Sequence, residues 1–313
     1  MAGNRRIISL LPSATEIVCA LGAGTELVGK SHECDFPESV RGLPALTSSR
    51  LGFAPTSLAL DRDLRALVRE ALSIYSVDES RLAALAPDTI VTQDLCQVCA
   101  VSLGDVQSAV ARLAEHAEIQ IVSLRPTRLE HVLQDIDTVA LALDRAARGR
   151  ELRRDLEARI AAIAARAERA DTRPRVVTVE WLEPLMLGGT WMPQLIELAG
   201  GQALAAKAGE CAPTLSLAAF AALEPDVVLI KPCGFALDRT LQERAFIEAE
   251  LLTRLGSNAR AFVSDGNAFF NRPGPRLVDS LEILGACIHP ELFPDFAAKH
   301  RSVLLPLPAR DSH

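Results

Sequence analysis

The sequence predicts an α/β protein in which two α/β lobes with parallel central sheets are joined by a long rigid spine helix. Three observations indicate this class. Short β-rich runs alternate with helical runs, the alternation restarts after Pro174, and a long helical period lies between the two halves. We therefore expect an N-terminal lobe over 5–127, a helical linker with the spine helix over 128–173, a C-terminal lobe over 174–295 and a loose tail over 296–313.

The first lobe opens with a β-rich run from Arg5 to Leu11, which Pro12 ends. Ser13 and Glu16 have the spacing of a capping box, so we expect Ser13 to cap a helix that ends at Gly22. The remaining predicted strands of this lobe cover 27–29, 89–92 and 119–122, and the remaining predicted helices cover 81–86 and 106–117.

Residues 24–31 match the phosphate-binding pattern G-x-x-x-x-G-K-S letter for letter. That loop needs a strand before it and a helix after it, so that helix N–H groups face the phosphates. Here the predicted helix comes first and turn-like residues follow. We therefore interpret this segment as a helix end, a short strand and a polar loop.

Apolar residues recur with a helical period from Leu129 to Leu143, and a second helix follows from Asp144 to about Ala170. At 1.5 Å per residue this second helix, the predicted spine, is roughly 37 Å long. The predicted strands of the second lobe cover 175–180, 227–230 and 261–264, and its predicted helices cover 192–198, 216–223, 241–252 and 275–284.

Composition narrows the classes of function. The chain has 313 residues, of which 49% are apolar, and its net charge is −7 without runs of like charge, which argues against nucleic acid as a partner. No apolar run reaches the roughly 18 residues that a membrane span needs. The apolar run after Arg6 stops at Pro12, so we expect no signal peptide and a cytoplasmic location. The protein would be periplasmic if an upstream start adds a signal. We also expect a monomer.

Cysteine and histidine side chains follow several of the predicted strands. Cys96 and Cys99 form a C-x-x-C pair, and the other candidates are His32, Cys34 and Cys233. Loops at the carboxyl ends of parallel strands line the ligand crevice of open α/β sheets, so these side chains could hold a soft metal ion. The alternatives are buried structural thiols, or a dithiol pair that cycles between oxidation states.

Aromatic side chains flank the strand ends of the second lobe. Trp181, Trp191, Phe269 and Phe270 could stack on a planar ligand, and Arg272 could meet a ligand carboxylate or amide; the alternative for each aromatic residue is core packing. The sequence contains no G-x-S-x-G elbow, no H-E-x-x-H and no spaced carboxylate set. We therefore expect a protein that binds a small molecule without transforming it, and not an enzyme.

Five short segments carry a family resemblance, namely 6–16, 27–37, 85–91, 188–201 and 272–276. They resemble the cobalamin- and iron-siderophore-binding proteins of ABC importers, and most closely the cobalamin-binding branch. The resemblance runs from about Arg5 to Pro290. It implies the class III, helical-backbone fold of these binding proteins, with the ligand held between two lobes. Glu33 and the region of Ser49 and Arg50 stand at places where periplasmic relatives grip the corrin with aromatic residues.

The resemblance also implies a function. We expect a cobalamin or related corrinoid to contact Ser13, His32, Glu33, Ser49, Arg50, Trp181, Trp191, Phe269, Phe270 and Arg272. An ABC permease is the implied partner if the protein is exported, and intracellular corrinoid handling is the role if it is not. The alternatives are a protein that binds or delivers a metal or ferric chelate through the Cys/His set, and a thiol-redox protein that uses the C-x-x-C pair.

Overall fold

The computed structural model describes residues 5–49, 54–69, 75–93 and 119–308. Arg50, Cys96, Cys99 and the predicted helix over 106–117 lie outside these ranges. The chain divides into two compact units. Unit 1 takes its described residues from 1–54, 62–126 and 130–155, and unit 2 takes its described residues from 55–61, 127–129 and 156–313.

Unit 1 contains a four-stranded parallel sheet in the order β2-β1-β5-β6. A separate antiparallel pair, β3 and β4, also belongs to this unit. The strands of unit 1 are β1 (Ile7–Ser9), β2 (Leu27–Lys30), β3 (Thr47–Ser49), β4 (Tyr75–Val77), β5 (Thr89–Gln93) and β6 (Gln120–Leu124). Ile8 and Ile90 are fully buried in its core, as expected for parallel strands that are covered on both faces.

Among the described residues of the first half of the chain, the α-helices are α1 (Pro12–Ala20), α2 (Ser57–Arg69), α3 (Glu79–Leu85), α4 (Leu129–Ala142) and α5 (Ala146–Ala167). The predicted period of 129–143 is thus confirmed as a helix. The predicted spine is α5, which has 22 residues. Its residues up to Asp155 belong to unit 1, and those from Leu156 belong to unit 2.

The predicted capping box at the start of α1 is wrong. Helix α1 begins at Pro12, so its N-cap residue is Leu11 and no side chain caps it. Proline is favoured in the first turn because its missing N–H would have no helical partner there. Ser13 is therefore already inside the helix, where its buried hydroxyl cannot reach the N–H groups of the first turn.

Unit 2 contains a sheet in the order β12-β11-β10-β7-β8, with β9 pairing with β7. Strands β7, β10 and β11 are parallel and carry the apolar core of the unit. The strands are β7 (Arg175–Trp181), β8 (Met186–Leu187), β9 (Gln202–Ala203), β10 (Val227–Ile230), β11 (Arg260–Ser264) and β12 (Leu304–Pro306). The three strands predicted at 175–180, 227–230 and 261–264 are confirmed.

The helices of unit 2 include α6 (Met192–Leu198), α7 (Leu217–Ala221), α8 (Leu237–Leu241), α9 (Arg244–Phe246), α10 (Leu277–Ile288) and α11 (Pro294–Lys299). The continuous helix predicted over 241–252 is wrong, because α8 and α9 are followed by a π-helical turn. The buried carboxylate of Glu243 accepts hydrogen bonds from the Ser57 N–H at 2.5 Å and from Arg239 Nη2 at 3.2 Å. Apolar periodicity does not encode such contacts.

The prediction of a loose tail over 296–313 is also wrong for its described part. Helix α11 covers the start of that segment, and β12 pairs antiparallel with β11 so that Leu304 lies opposite Ser264. The physical reason is local: Leu304 is buried, and the Ser264 hydroxyl donates to the Val303 carbonyl at 2.8 Å.

The molecule is an α/β protein with parallel sheets, as the sequence predicts. Among the helices within the described ranges, none combines the length and the apolar character that crossing a lipid bilayer requires.

Candidate functional site

The carboxyl ends of β7 and β10 in unit 2 hold a buried ion pair. Glu180 is the second-to-last residue of β7, and Lys231 follows β10 directly. Lys231 Nζ lies 3.2 Å from Glu180 Oε2 and 2.9 Å from Asn271 Oδ1. The Lys231 side chain is fully buried, whereas the Glu180 side chain is 26% exposed. The Lys231 ammonium group is therefore enclosed in the protein, and the Glu180 carboxylate is the member of the pair that reaches the surface.

Asn271 ties the loop after β11 to the same ion pair. Its Nδ2 donates to the Gly266 carbonyl at 2.7 Å, while its Oδ1 accepts from Lys231. Gly266 is required here, because a Cβ atom at this position would lie only 2.1 Å from the Pro232 carbonyl oxygen. The ends of three parallel strands are thus held by one polar network, which is the place where open α/β sheets bind ligands.

Two aromatic side chains near this network remain partly exposed. The Trp181 ring lies 5.1 Å from the Phe235 ring, and its Nε1 donates to the Glu183 carbonyl at 3.0 Å. The guanidinium group of Arg276 lies 5.6 Å from the centre of the Phe269 ring. Because both rings are fixed by neighbours and keep some exposed surface, they could stack on a planar ligand as predicted.

Trp191 and Phe270 are more deeply buried than these two rings. Trp191 is 5% exposed and Phe270 is 1% exposed. Trp191 Nε1 donates to the Phe270 carbonyl at 2.8 Å, and the Phe270 N–H donates to Ser280 Oγ at 2.9 Å. The indole N–H of Trp191 and the backbone N–H of Phe270 both donate inside the core, which favours core packing for these two rings; their contact with a ligand stays a prediction.

Arg272 is buried as well. Its side chain is 6% exposed, and Nη2 donates to Asn267 Oδ1 at 3.0 Å. The Asn267 N–H in turn donates to Asp265 Oδ1 at 3.0 Å. Arg272 therefore supports the loop that carries Phe269, and the burial leaves little of its guanidinium group at the surface.

In unit 1, His32 lies just beyond the carboxyl end of β2 and is held by Thr47 of β3. The His32 N–H donates to Thr47 Oγ1 at 3.1 Å, and His32 Nδ1 lies 2.7 Å from the same oxygen. The Thr47 hydroxyl itself donates to Ser31 Oγ at 3.0 Å. Desolvation lowers the pKa of His32; nearby Glu33 raises it, and Lys30 adds to the lowering. The imidazole is therefore neutral at pH 7.

Cys34 and Ser13 are directed into unit 1. Cys34 is 1% exposed, and its Sγ accepts from Thr15 Oγ1 at 3.0 Å. Ser13 is 2% exposed, and its Oγ has no hydrogen-bond partner among the described residues. The burial of Cys34 disfavours its predicted role as a metal ligand, because the thiol is enclosed by protein atoms.

The remaining predicted contacts differ in placement. Glu33 is half-buried and its N–H donates to Ser31 Oγ at 3.4 Å, whereas Ser49 is exposed at the end of β3. In unit 2, Cys233 is half-buried and its N–H donates to the Glu180 carbonyl at 2.9 Å. Arg50, Cys96 and Cys99 lie outside the described residues.

Within the described ranges, one group of three potential metal ligands occurs, and sequence reasoning missed it. Asp279, Glu282 and His300 of unit 2 place their ligand atoms within 4.8 Å of one another. The group is already neutralised, because Arg159 Nη2 and Lys299 Nζ lie 2.7 and 2.6 Å from the Glu282 carboxylate. Burial raises the pKa of Glu282, but hydrogen bonds from His300, Lys299 and Arg159 outweigh it and lower this pKa to about 2. The group is an ion-pair network, and His32, Cys34 and Cys233 are not part of it.

Parallel sheets whose carboxyl ends carry polar networks and partly exposed aromatic rings define a small-molecule-binding protein of the α/β class. A family model described as periplasmic binding protein matches residues 7–257. The chain therefore belongs to the periplasmic binding protein family, as the resemblance in the sequence predicts.

Relatives with known names agree with this assignment. The chain is 23% identical over 276 residues to the vitamin B12-binding protein of Yersinia pestis (strain Pestoides F), covering 87% of this chain and 82% of that protein. Among solved structures, the periplasmic heme-binding protein RhuT from Roseiflexus sp. RS-1 matches with a TM-score of 0.69 and 23% identity, covering 93% of this chain and 100% of that one. The vitamin B12-binding protein BtuF of Vibrio cholerae matches with a TM-score of 0.63 and 18% identity, covering 91% and 96%. These structural likenesses show the fold.

Proposed function

We propose that the protein binds a cobalamin or related corrinoid without transforming it, as the substrate-binding component of an ABC importer or in intracellular corrinoid handling. The observation that carries this proposal is the likeness to a vitamin B12-binding protein over 87% of the chain. The site chemistry supports it, because a corrinoid is a broad apolar ring edged with amides. Such a ligand suits exposed ring faces beside hydrogen-bond acceptors.

In unit 2, the proposed contacts are Trp181 and Phe269, with the exposed side of the Glu180 carboxylate accepting from ligand amides. The positioning residues are more deeply placed. Lys231 holds the Glu180 carboxylate and Asn271, and Arg272 bonds to Asn267 in the loop that carries Phe269. In unit 1, the proposed contacts are His32, Glu33, Ser49 and Arg50, and the buried Ser13 completes the proposed set.

The second candidate ligand is heme or another iron chelate. The observation that favours it is the likeness of the fold to the heme-binding protein RhuT, whose TM-score exceeds that of BtuF. The thiol-redox alternative would use Cys96 and Cys99, which lie outside the described ranges. The metal alternative would use the same pair together with His32, Cys34 and Cys233. An ABC permease is the proposed partner of an exported protein. The predicted cytoplasmic location gains no support, because the matched family is named for periplasmic members.

Calorimetric titration of the purified protein with cyanocobalamin and with hemin tests the choice of ligand. We expect stoichiometric binding of cyanocobalamin and at least tenfold weaker binding of hemin. Trp181→Ala removes a partly exposed ring from the carboxyl ends of the strands and should weaken cobalamin binding up to about tenfold, since a stacking contact on an aromatic face contributes about 0.5–1.5 kcal/mol.

Phe296→Ala is the matched control, because Phe296 of α11 is a partly exposed aromatic residue of the same unit and its ring stacks on Phe293. This variant should leave the affinity unchanged. Tight hemin binding with no measurable cobalamin binding would transfer the proposal to heme.

A further inference from the structure

The hydrogen bonds around Thr47 determine which nitrogen of His32 carries the proton. A threonine hydroxyl has one hydrogen and two acceptor lone pairs. The hydrogen is donated to Ser31 Oγ at 3.0 Å, so Thr47 Oγ1 must accept at both of its other contacts. These contacts are the His32 N–H at 3.1 Å and His32 Nδ1 at 2.7 Å. Nδ1 is therefore protonated, and Nε2 of the neutral ring carries the lone pair.

This arrangement is the one that metal-binding histidines use. A ligating imidazole usually donates its other N–H to a fixed acceptor, which orients the ring and sets the tautomer. His32 has such an acceptor in Thr47, which is only 6% exposed and lies in strand β3. The ring itself is half-buried at the carboxyl end of β2, on the side of a parallel sheet where ligands bind.

We propose that His32 Nε2 coordinates the metal centre of the bound corrinoid and makes the protein selective for forms with an exchangeable axial ligand. This inference rests on the proposed function. In the exchange, the bond between cobalt and an axial water breaks, the water leaves, and the Nε2 lone pair forms the new bond. Neither the charge on cobalt nor the number of protons on the protein changes. Of the charged groups near the ring, Glu33 favours its protonation and Lys30 opposes it.

The experiment compares two corrinoids by visible absorption and by calorimetry. Aquocobalamin has an axial water that imidazole replaces, whereas the cyanide of cyanocobalamin is held too firmly for that exchange. We expect a shift of the cobalt absorption bands for aquocobalamin and none for cyanocobalamin. His32→Ala should abolish the shift, and it should weaken aquocobalamin binding at least tenfold more than it weakens cyanocobalamin binding.

Two further variants separate this role from a structural one. His131→Ala removes a histidine of helix α4 in the same unit and should leave the shift intact. Thr47→Val removes the acceptor for Nδ1 and should weaken aquocobalamin binding several-fold without affecting cyanocobalamin binding. Circular dichroism and the thermal midpoint establish that each variant is folded.

The outcomes are distinct. An unchanged spectral shift in a folded His32→Ala protein overturns the inference and leaves the proposed function standing. Equal affinity for both corrinoids with unshifted spectra also overturns it. Failure of the unsubstituted protein to bind either corrinoid overturns the proposed function, and the inference with it.

Discussion

At the scale of single residues, the charged groups of unit 2 are stabilised by specific partners. Lys231 is fully buried. Among the described residues, the hydrogen-bond acceptors of its Nζ are the Glu180 carboxylate and Asn271 Oδ1. A buried charge without a partner is costly, so removing either member of the pair leaves the other charge uncompensated. We therefore expect the stability of the unit to depend on both members of the pair.

Replacing Lys231 by methionine should lower the free energy of unfolding by about 2 kcal/mol. Breaking a buried pair costs about 3–5 kcal/mol, and the partial exposure of Glu180 allows water to solvate the carboxylate that remains. Urea denaturation measures the change, with the exposed Lys207→Met as control. A loss below about 0.5 kcal/mol would show that the pair is not a stabilising contact.

Glu282 should make stability depend on pH in the acid range. Its pKa in the folded protein is about 2, below the ordinary value of 4.5, so the folded state releases this proton more readily than the unfolded chain. The stabilisation is fully present above pH 4.5 and is lost as the pH falls toward 2. A shift of this size corresponds to about 3 kcal/mol at neutral pH.

The measurement compares the free energy of unfolding of the unsubstituted protein with that of Glu282→Gln between pH 7 and pH 2. The difference should be largest at neutral pH and should shrink below pH 4.5. Glu168→Gln, which changes an exposed carboxylate of the same unit, should give a small and flat difference. A constant difference for Glu282→Gln would rule out the charged network as its cause.

Residue roles were the hardest feature to predict from the sequence. In the sequence, Trp191 and Phe270 cannot be told from Trp181 and Phe269, because all four are aromatic residues near the ends of predicted strands. Only the three-dimensional contacts separate a core indole that donates to Phe270 from an exposed ring beside Phe235. Long-range contacts of this kind leave no local pattern, which is also why the Asp279–Glu282–His300 network was missed.

At the scale of elements, two serines test the rules for helix starts. Ser216 caps helix α7, because its Oγ accepts from the Ala219 N–H at 3.1 Å. Ser13 was expected to cap α1 and instead lies inside that helix with a buried, unpartnered hydroxyl among the described residues. The two positions therefore predict opposite responses to the same substitution.

Ser216→Ala should cost about 1 kcal/mol of unfolding free energy, the usual value for a lost N-cap. Ser13→Ala should cost nothing and should stabilise the protein by up to about 1 kcal/mol, because it removes an unsatisfied buried hydroxyl. Thermal and urea unfolding measure both variants under one set of conditions. A loss at Ser13 comparable with that at Ser216 would restore the capping box.

Most of the elements follow from local signals. The strands around 89–92, 175–180 and 227–230 and the helices around 129–143 and 192–198 combine strong periodicity with clear turn residues, and each is present. Several elements escaped prediction, and for two regions the tertiary contacts that decide the local structure are clear. Strand β12 exists because it pairs with β11, and the helical turns after Leu241 are broken where Glu243 turns inward to bond with Ser57.

At the scale of the whole molecule, the family could be predicted further than the ligand. Short motifs spread from Arg6 to Arg276 identified the periplasmic binding protein family, since several weak signals in the right order are specific together. Ligand identity depends instead on a few surface side chains. Proteins of similar fold are named as binders of different ligands, vitamin B12 in one case and heme in another. Membership of the periplasmic binding protein family therefore indicates a binding protein, and the side chains at the site must select the ligand.

Equilibrium dialysis against an equimolar mixture of aquocobalamin, hemin and a ferric chelate, followed by extraction and analysis of the retained ligand, tests the central claim most directly. The account predicts that one equivalent of corrinoid is retained per protein chain and is recovered chemically unchanged, with hemin and the chelate left in the dialysate. Retention of hemin or the chelate in its place, or recovery of a chemically altered corrinoid, would contradict it.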